Sequence, residues 1–492
     1  MSEFGADSHE PGNPAKPPGP YLIVGATSFG VFLSALDASI VNVSLATMAA
    51  SFGVDIPEIQ WVVLSYLLAI TSLMPLMGKL GDRFGKTKVF QSGMVIFVAG
   101  SLACALSPSL TVLVASRVLQ AIGSSMMSAN GLALVTYYTT PENRGRAIGL
   151  NSITLAAALG LGPVVGGILS EFFGWPSIFL VNLPIGFIGF IVVAKVVPDT
   201  EKIRETRFDA LGAGLFFAFL FLLVYYVSIA VGLSLEVSLV FMGSIVAACV
   251  ALLVREQRFP VPVIPTRVMA DRRISVSIFS ALLAYMAIVP ITFLFPFFLQ
   301  RGLGFSQSIT GIILTAHPLV ISIAGPVSGF ISERVQARIQ TVIGLAIEVA
   351  GLLLFGLAVP NLPFMILSIV VMGSGLSLFS VANGNFIMTS APKEYMGVVS
   401  ALTNLARTTG FSVATALVTT VFGFFLILFD PNYSPANPVD LLSYSAAFQL
   451  AVWVFCALAL VGMIISAFRG LSPAEHERVG EQAKSLEAKR VC

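Results

Sequence analysis

The sequence predicts an all-α membrane protein: two six-helix halves joined through two additional central helices, fourteen transmembrane helices in all. The 492 residues are 56% hydrophobic and 11% charged, with a mean hydropathy of +0.92, a balance that no water-facing surface of this size accommodates. Apolar runs of the ~20 residues needed to cross ~30 Å of hydrocarbon at ~1.5 Å per residue recur along the chain. Lysine and arginine then collect in alternate connections between those runs, as they do when the count of spans is right.

Residues 1–20 are polar and rich in Pro and Gly. They lack the basic start and short apolar core of a cleaved signal, and read as a disordered cytoplasmic tail. The first half, residues 21–197, holds spans Tyr21–Ala46, Ile59–Met77, Val89–Leu106, Leu110–Tyr137, Ala147–Phe172 and Ile178–Val197. A linker, 198–273, carries the extra pair Ala210–Ile229 and Leu235–Leu253. The second half, 274–468, holds Ile274–Leu299, Ile309–Ile331, Ile339–Val359, Phe364–Met388, Val398–Phe429 and Leu441–Phe468, and residues 469–492 form a second cytoplasmic tail. With the N-terminus inside, all but three of the 27 basic residues fall in inner segments. Arg301 alone is outside, while Arg117 and Arg407 lie within spans. Both termini are therefore expected in the cytoplasm, in a multi-pass protein of the cytoplasmic (plasma or inner) membrane.

Composition also excludes. A net charge of +2 offers no field for nucleic acid, and three histidines and four cysteines form no cluster for a metal or redox centre. No nucleotide loop or nucleophile with its base appears, so an enzyme is not expected.

An internal repeat supports the two halves. Gly78-Lys79-Leu80-Gly81-Asp82-Arg83, after the second span, has a weaker copy in Gly329-Phe330-Ile331-Ser332-Glu333-Arg334, after the tenth, 251 residues on. Pro141 and Pro392, before the fifth and thirteenth spans, repeat at the same offset. Two similar halves place a substrate site near mid-membrane between them.

The full loop Gly78 to Lys88, with Gly78, Gly81, Gly85, Asp82, Arg83 and trailing lysines, resembles the cytoplasmic signature of the major facilitator superfamily. Its glycines permit a tight turn and close helix approach, and Asp82 can sit at a helix N-terminus. The resemblance implies a conformational latch, in which Asp82 holds the start of the thirteenth span or pairs with Arg144 or Arg146; otherwise the loop only fixes topology. Leu36-Asp37-Ala38-Ser39-Ile40-Val41-Asn42-Val43 is similar to the first-helix motif of the fourteen-helix drug:proton antiporters. An acid in hydrocarbon is rare unless it lines a cavity, pairs or exchanges protons, so Asp37 is the prime candidate for proton coupling, with a permanently paired structural aspartate as the alternative. Arg117-Val-Leu-Gln120-Ala-Ile-Gly123 resembles the fourth-helix motif of proton-coupled members. By residue count, Asp37 lies about 24 Å from the inner start of its span and Arg117 about 11 Å from the outer start of its own, within about 5 Å of one level. A pair is expected, direct or through water, unless Arg117 only bonds backbone carbonyls.

The string Ala158-Leu-Gly-Leu-Gly162-Pro163-Val-Val-Gly166-Gly167 looks like the antiporter signature of the fifth helix. Residues 158, 162 and 166 leave one face bare for close packing, and Pro163 removes a backbone bond. Gly174 to Gly186 is similar to the junction that follows, but has Pro176 and Ser177 where many members carry an arginine and an aromatic residue. Phe295-Pro-Phe-Phe-Leu-Gln300 and Asn404-Leu-Ala-Arg407-Thr-Thr-Gly410 also look like family strings.

A substrate cavity is expected from Asn42, Gln120, Gln300, His317, Asn404 and Arg407. Arg407 is placed to meet an anionic group or to pair with Glu348. Glu348 is a second candidate proton site or a structural acid, and His317 a titrating or helix-packing residue. The expected protein is a monomeric proton-coupled antiporter exporting small amphipathic organic molecules or drugs, using the proton gradient and no cofactor. A uniporter or symporter of a metabolite on the same fold, or a non-transporting sensor, are the alternatives.

Overall fold

The computed structural model describes residues 19–200, 209–230, 233–259, 266–332, 334–391, 396–431, 433 and 440–470. The two expected tails lie almost entirely outside them, as do Glu333 and Pro392 of the repeat and the side chain of Arg144. Among the described residues, fourteen helices are long and apolar enough to cross a membrane. They are α1 (Pro20–Phe52), α2 (Trp61–Phe84), α3 (Lys86–Ala105), α4 (Leu110–Tyr138), α5 (Pro141–Phe173), α6 (Ser177–Val196), α7 (Ala210–Ile229) and α8 (Leu235–Arg258). Then follow α9 (Arg272–Gly302), α10 (Gln307–Ser332), α11 (Ala337–Ala358), α12 (Leu362–Ser390), α13 (Met396–Phe429) and α14 (Leu441–Ala467). An even number of crossings puts both termini on one side, here called the terminal side; the other is the far side.

Helices start where the sequence supplies caps: Ser109, Ser234 and Asp440 each accept a backbone N–H of the turn they precede. The span predicted as Ile274–Leu299 is α9, but it is not a uniform α-helix. Wide π-helical turns at Pro290–Leu294 and Phe298–Gly302 flank Phe295–Phe297, where Pro290 and Pro296 withdraw donors from the ladder. Phe298 then stacks on Phe448 with centroids 4.6 Å apart, inside the largest apolar cluster.

The same helix pairings recur in both halves. Helix α1 packs on α5 and α6, α3 on α4, and α2 on α4; eight places on, α9 packs on α13 and α14, α11 on α12, and α10 on α12. Even the close approaches repeat: a Cβ on Gly93 or Gly100 would strike α4, and one on Gly344 or Gly351, each 251 residues later, would strike α12. Between halves, α5 lies along α10 and α2 along α13, two contacts that the repeat interchanges. Helix α7 packs on both α2 and α13, and α8 leans on α7, burying only Leu252 and Glu256 of its own residues. Asp209 ties the pair together through Arg255 at 3.0 Å.

Candidate functional site

Asp37 and Arg117, placed at one depth by residue count, form an ion pair in the middle of the first half. Arg117 Nη1 lies 2.5 Å from Asp37 Oδ2, with both side chains at most 1% exposed. Gln120 Nε2 donates to Asp37 Oδ1 at 2.7 Å and Asn182 Nδ2 donates to the same oxygen at 3.0 Å. The carboxylate thus faces three donors, as an ionised, acceptor-only group requires. Arg117 Nε donates to the Val62 carbonyl at 3.0 Å, and the guanidinium lies 4.2 Å over the Tyr66 ring. Gln120 is oriented by its surroundings: Oε1 accepts from Arg117 Nη1 at 2.5 Å, and Nε2 also donates to Ser101 Oγ at 2.8 Å. Tyr66 extends the network through Ser124 to Ser34, at 2.8 and 2.9 Å.

Five of the six helices of this half therefore meet in one polar cluster around the carboxylate: α1 gives Asp37, α2 Val62 and Tyr66, α3 Ser101, α4 Arg117 and Gln120, and α6 Asn182. Burying a charge at such a point is tolerable only with this full set of partners. Gln120, expected on the substrate cavity wall, is instead fully buried in this cluster, because its amide satisfies Asp37 and Arg117 together. Asn182 and Ser101 were not singled out in the sequence. Their signal was polarity within apolar spans, which only a three-dimensional neighbour turns into a role.

The other expected cavity residues are spread over α1, α9, α10 and α13. Gln300 Nε2 donates to the Val43 carbonyl at 2.7 Å, joining α9 to α1, and Asn42 on α1 leaves its buried Oδ1 without a hydrogen-bond partner. Asn404 and Arg407 pair with each other on α13, Nη2 to Oδ1 at 2.7 Å, and Asn404 also contacts Met74 Sδ at 3.5 Å. Glu348, the alternative partner of Arg407, is not joined to it: it is fully buried on α11 against α12, and neither carboxyl oxygen has a hydrogen-bond partner. Tyr285 of α9 is within electrostatic reach of both. His317 is buried on α10 with Nε2 unpartnered.

The bare face of α5 meets α1. A Cβ on Gly162 would fall 1.8 Å from Ser39 Oγ, and one on Gly166 2.8 Å from the Ile40 carbonyl oxygen. Gly167 faces α10 instead, 2.4 Å from the Gln307 carbonyl oxygen by the same measure, and a Cβ on Gly311 would fall 2.1 Å from that of Pro163. This far-side seam is reinforced across the halves by Ser308 N to Glu171 at 2.8 Å and by Arg301 to Asp55 at 3.4 Å. Tyr433 donates to Asp55 at 3.2 Å. Burial, with the Asp55 charge behind it, pushes the Tyr433 hydroxyl up to about 12, so it remains a donor across the physiological range.

The signature loop departs from expectation. Helix α2 continues through Phe84, so Asp82 sits in its last turn and not at a helix N-terminus. The reversal is made at Gly85 alone, whose φ of +99° is open to glycine. Asp82 pairs with Lys86 and, at 3.9 Å, with Lys79, both of its own loop. Arg83 and Arg146 are exposed, and the side chains at the start of α13 lie outside the described residues. Gly78 lies beside Ala129 of α4, and Gly81 makes room for Asn130, whose amide binds the Met77 carbonyl at 3.0 Å.

A family model described as Major Facilitator Superfamily matches residues 27–299 and 278–491. The chain belongs to the major facilitator superfamily. Its fourteen-helix form is that of the drug-efflux type. Among similar superfamily proteins, "Riboflavin transporter RibZ" of Clostridioides difficile (strain 630) is 29% identical, covering 91% of this chain and 97% of that protein. "Multidrug resistance protein Stp" of Mycobacterium tuberculosis (strain CDC 1551 / Oshkosh) is 29% identical over 84% of this chain and 78% of its own. The crystal structure of a bacterial homologue of the human lysosomal transporter Spinster superposes with a TM-score of 0.67 at 16% identity, over 92% of this chain and 97% of that one, which shows the shared fold.

Proposed function

We propose that the protein is a proton-coupled antiporter of the cytoplasmic membrane, with both termini in the cytoplasm, that exports small amphipathic organic molecules by alternating access. The observation that carries this reading is the buried Asp37–Arg117 pair with its three carboxylate donors. A proton arriving on Asp37 converts an acceptor-only group into one that must itself donate, and cancels its attraction for Arg117. The tie among α1, α4 and α6 then loosens, and deprotonation restores it. Cross-half contacts at Gly167, Gly311, Glu171 and Asp55 fit a state closed on the far side, while on the terminal side Asp82 is held by its own lysines. The name of the Stp relative supports drugs as substrates. The RibZ relative supports a second reading, uniport or symport of one specific metabolite.

Proteoliposomes with an imposed pH gradient separate the two. Antiport requires substrate flux opposite to proton flux and its loss in Asp37→Asn. Substrate moving with the protons, or indifferent to the gradient, would overturn the antiport reading. A panel of lipophilic cations, neutral drugs and flavins gives the substrate class.

A further inference from the structure

A second charged site lies on the terminal side of the second half, remote from Asp37. A groove of about 310 Å³ there is lined by Arg272, Arg273, Arg338 and Arg469, with Phe468 on its rim. The four guanidinium groups come from three separate places: the start of α9, the first turn of α11 and the chain just past α14. Arg469 is 1% exposed, held by Ser280 Oγ at 3.2 Å and by Asn383 Oδ1, with its guanidinium 4.8 Å over the Phe386 ring. Arg273 is neutralised by Asp271, at 2.7 and 3.1 Å, whose carboxyl is held below the usual range by that contact. Arg272 and Arg338 are exposed and have no ion pair among the described residues.

Positive charge concentrated in a groove calls for an anion, and the rim says which kind. Phe468 lines the opening and is 62% exposed, and Ile339 and Ile343, which follow Arg338 along α11, are 48% and 50% exposed. A ligand seated among the arginines would lie against this apolar rim, at the level where headgroups meet acyl chains. Arginine forks also match phosphate oxygens in pairs. We propose that this groove binds the phosphate of an anionic phospholipid headgroup, with Arg272 and Arg338 recruiting it, Arg469 forming its floor, and Asp271 setting its strength by screening Arg273. The bound lipid would bridge α9, α11 and α14.

Native mass spectrometry of the purified full-length protein, titrated with phosphatidylglycerol or phosphatidylcholine, tests this. Phosphatidylglycerol is expected to bind preferentially. R272Q/R338Q alters two exposed side chains and should weaken that binding about 25-fold, at the roughly fivefold per basic residue typical of charged membrane surfaces. Asp271→Asn keeps the helix cap and should tighten it about fivefold. Arg334→Gln removes an equal charge outside the groove, over Phe330, and should change nothing. Three results would each overturn the proposal: undiminished binding in R272Q/R338Q with unchanged thermal unfolding, an equal loss in Arg334→Gln, or displacement of bound phosphatidylglycerol by inorganic phosphate as readily as by soluble glycerophosphoglycerol.

Discussion

Replacing Arg117 by methionine keeps the length of the side chain and removes the charge, leaving the Asp37 carboxylate buried with only the amides of Gln120 and Asn182. Breaking a buried pair from one side costs about 3–5 kcal/mol, mostly as the penalty of the charge left behind. Asp37→Asn is milder. Arg117 retains the Val62 carbonyl and Gln120 Oε1 as acceptors, and the Tyr66 ring at 4.2 Å contributes up to about 2 kcal/mol to a desolvated cation. With both changes together no charge remains. The double variant is therefore expected to be more stable than Arg117→Met alone, with a coupling of about 2–3 kcal/mol between the sites. Thermal unfolding in detergent, followed by a thiol-reactive dye that reports exposure of the buried Cys104 and Cys456, gives the order directly. Destabilisations that simply add, with the double variant the least stable of the three, would refute the buried-pair argument.

The far-side seam and the signature loop make further predictions. Gly311→Val drives a Cβ to 2.1 Å from the Pro163 carbonyl oxygen. It should hold α10 away from α5, lower transport more than about tenfold and increase far-side labelling of an introduced Ser308→Cys; unchanged labelling would contradict the seam. Gly81→Ala, 1.7 Å from Asn130 Oδ1, should destabilise by about 1–3 kcal/mol, and adding Asn130→Ala should recover part of it in the same unfolding assay. The Tyr433 to Asp55 bond should be insensitive to pH over the physiological range. The raised hydroxyl contributes its stability below the unfolded value of 10.0 and loses it as pH climbs towards about 12, so Tyr433→Phe should remove any alkaline loss of far-side closure measured by cross-linking.

The spans were legible because membrane crossing imposes length and hydropathy rules on every helix at once. Depth arithmetic reached the Asp37–Arg117 pair because helical rise is fixed, whatever the neighbours do. It could not reach Gln120's place in the cluster. Facing is set by rotation of α4 against α1 and α3, and a polar residue one turn from Arg117 suits either a cavity or a network. Asp82 lies elsewhere than expected for a related reason: three glycines suggest that the chain turns among them, yet α2 runs through two of them and reverses only at Gly85, where φ is positive. The π-helical turns of α9, and the docking of α7 across α2 and α13, depend on contacts between distant segments and leave no periodic trace in the chain.

The cluster at Asp37 also bounds how strongly the proposed antiport could work. The repeat carries Ile288 in the corresponding place of the second half, so the network offers a single acid and, if that acid alone exchanges, one proton per cycle. One charge moving through 100 mV supplies about 2.3 kcal/mol, enough to concentrate a neutral compound about 50-fold on the far side. A singly charged cation exchanged for that proton moves no net charge and gains nothing from the voltage, only from the difference in pH. Whether the membrane potential accelerates export would thus depend on the cargo's charge, and the same transporter would be electrogenic for one compound and electrically silent for another.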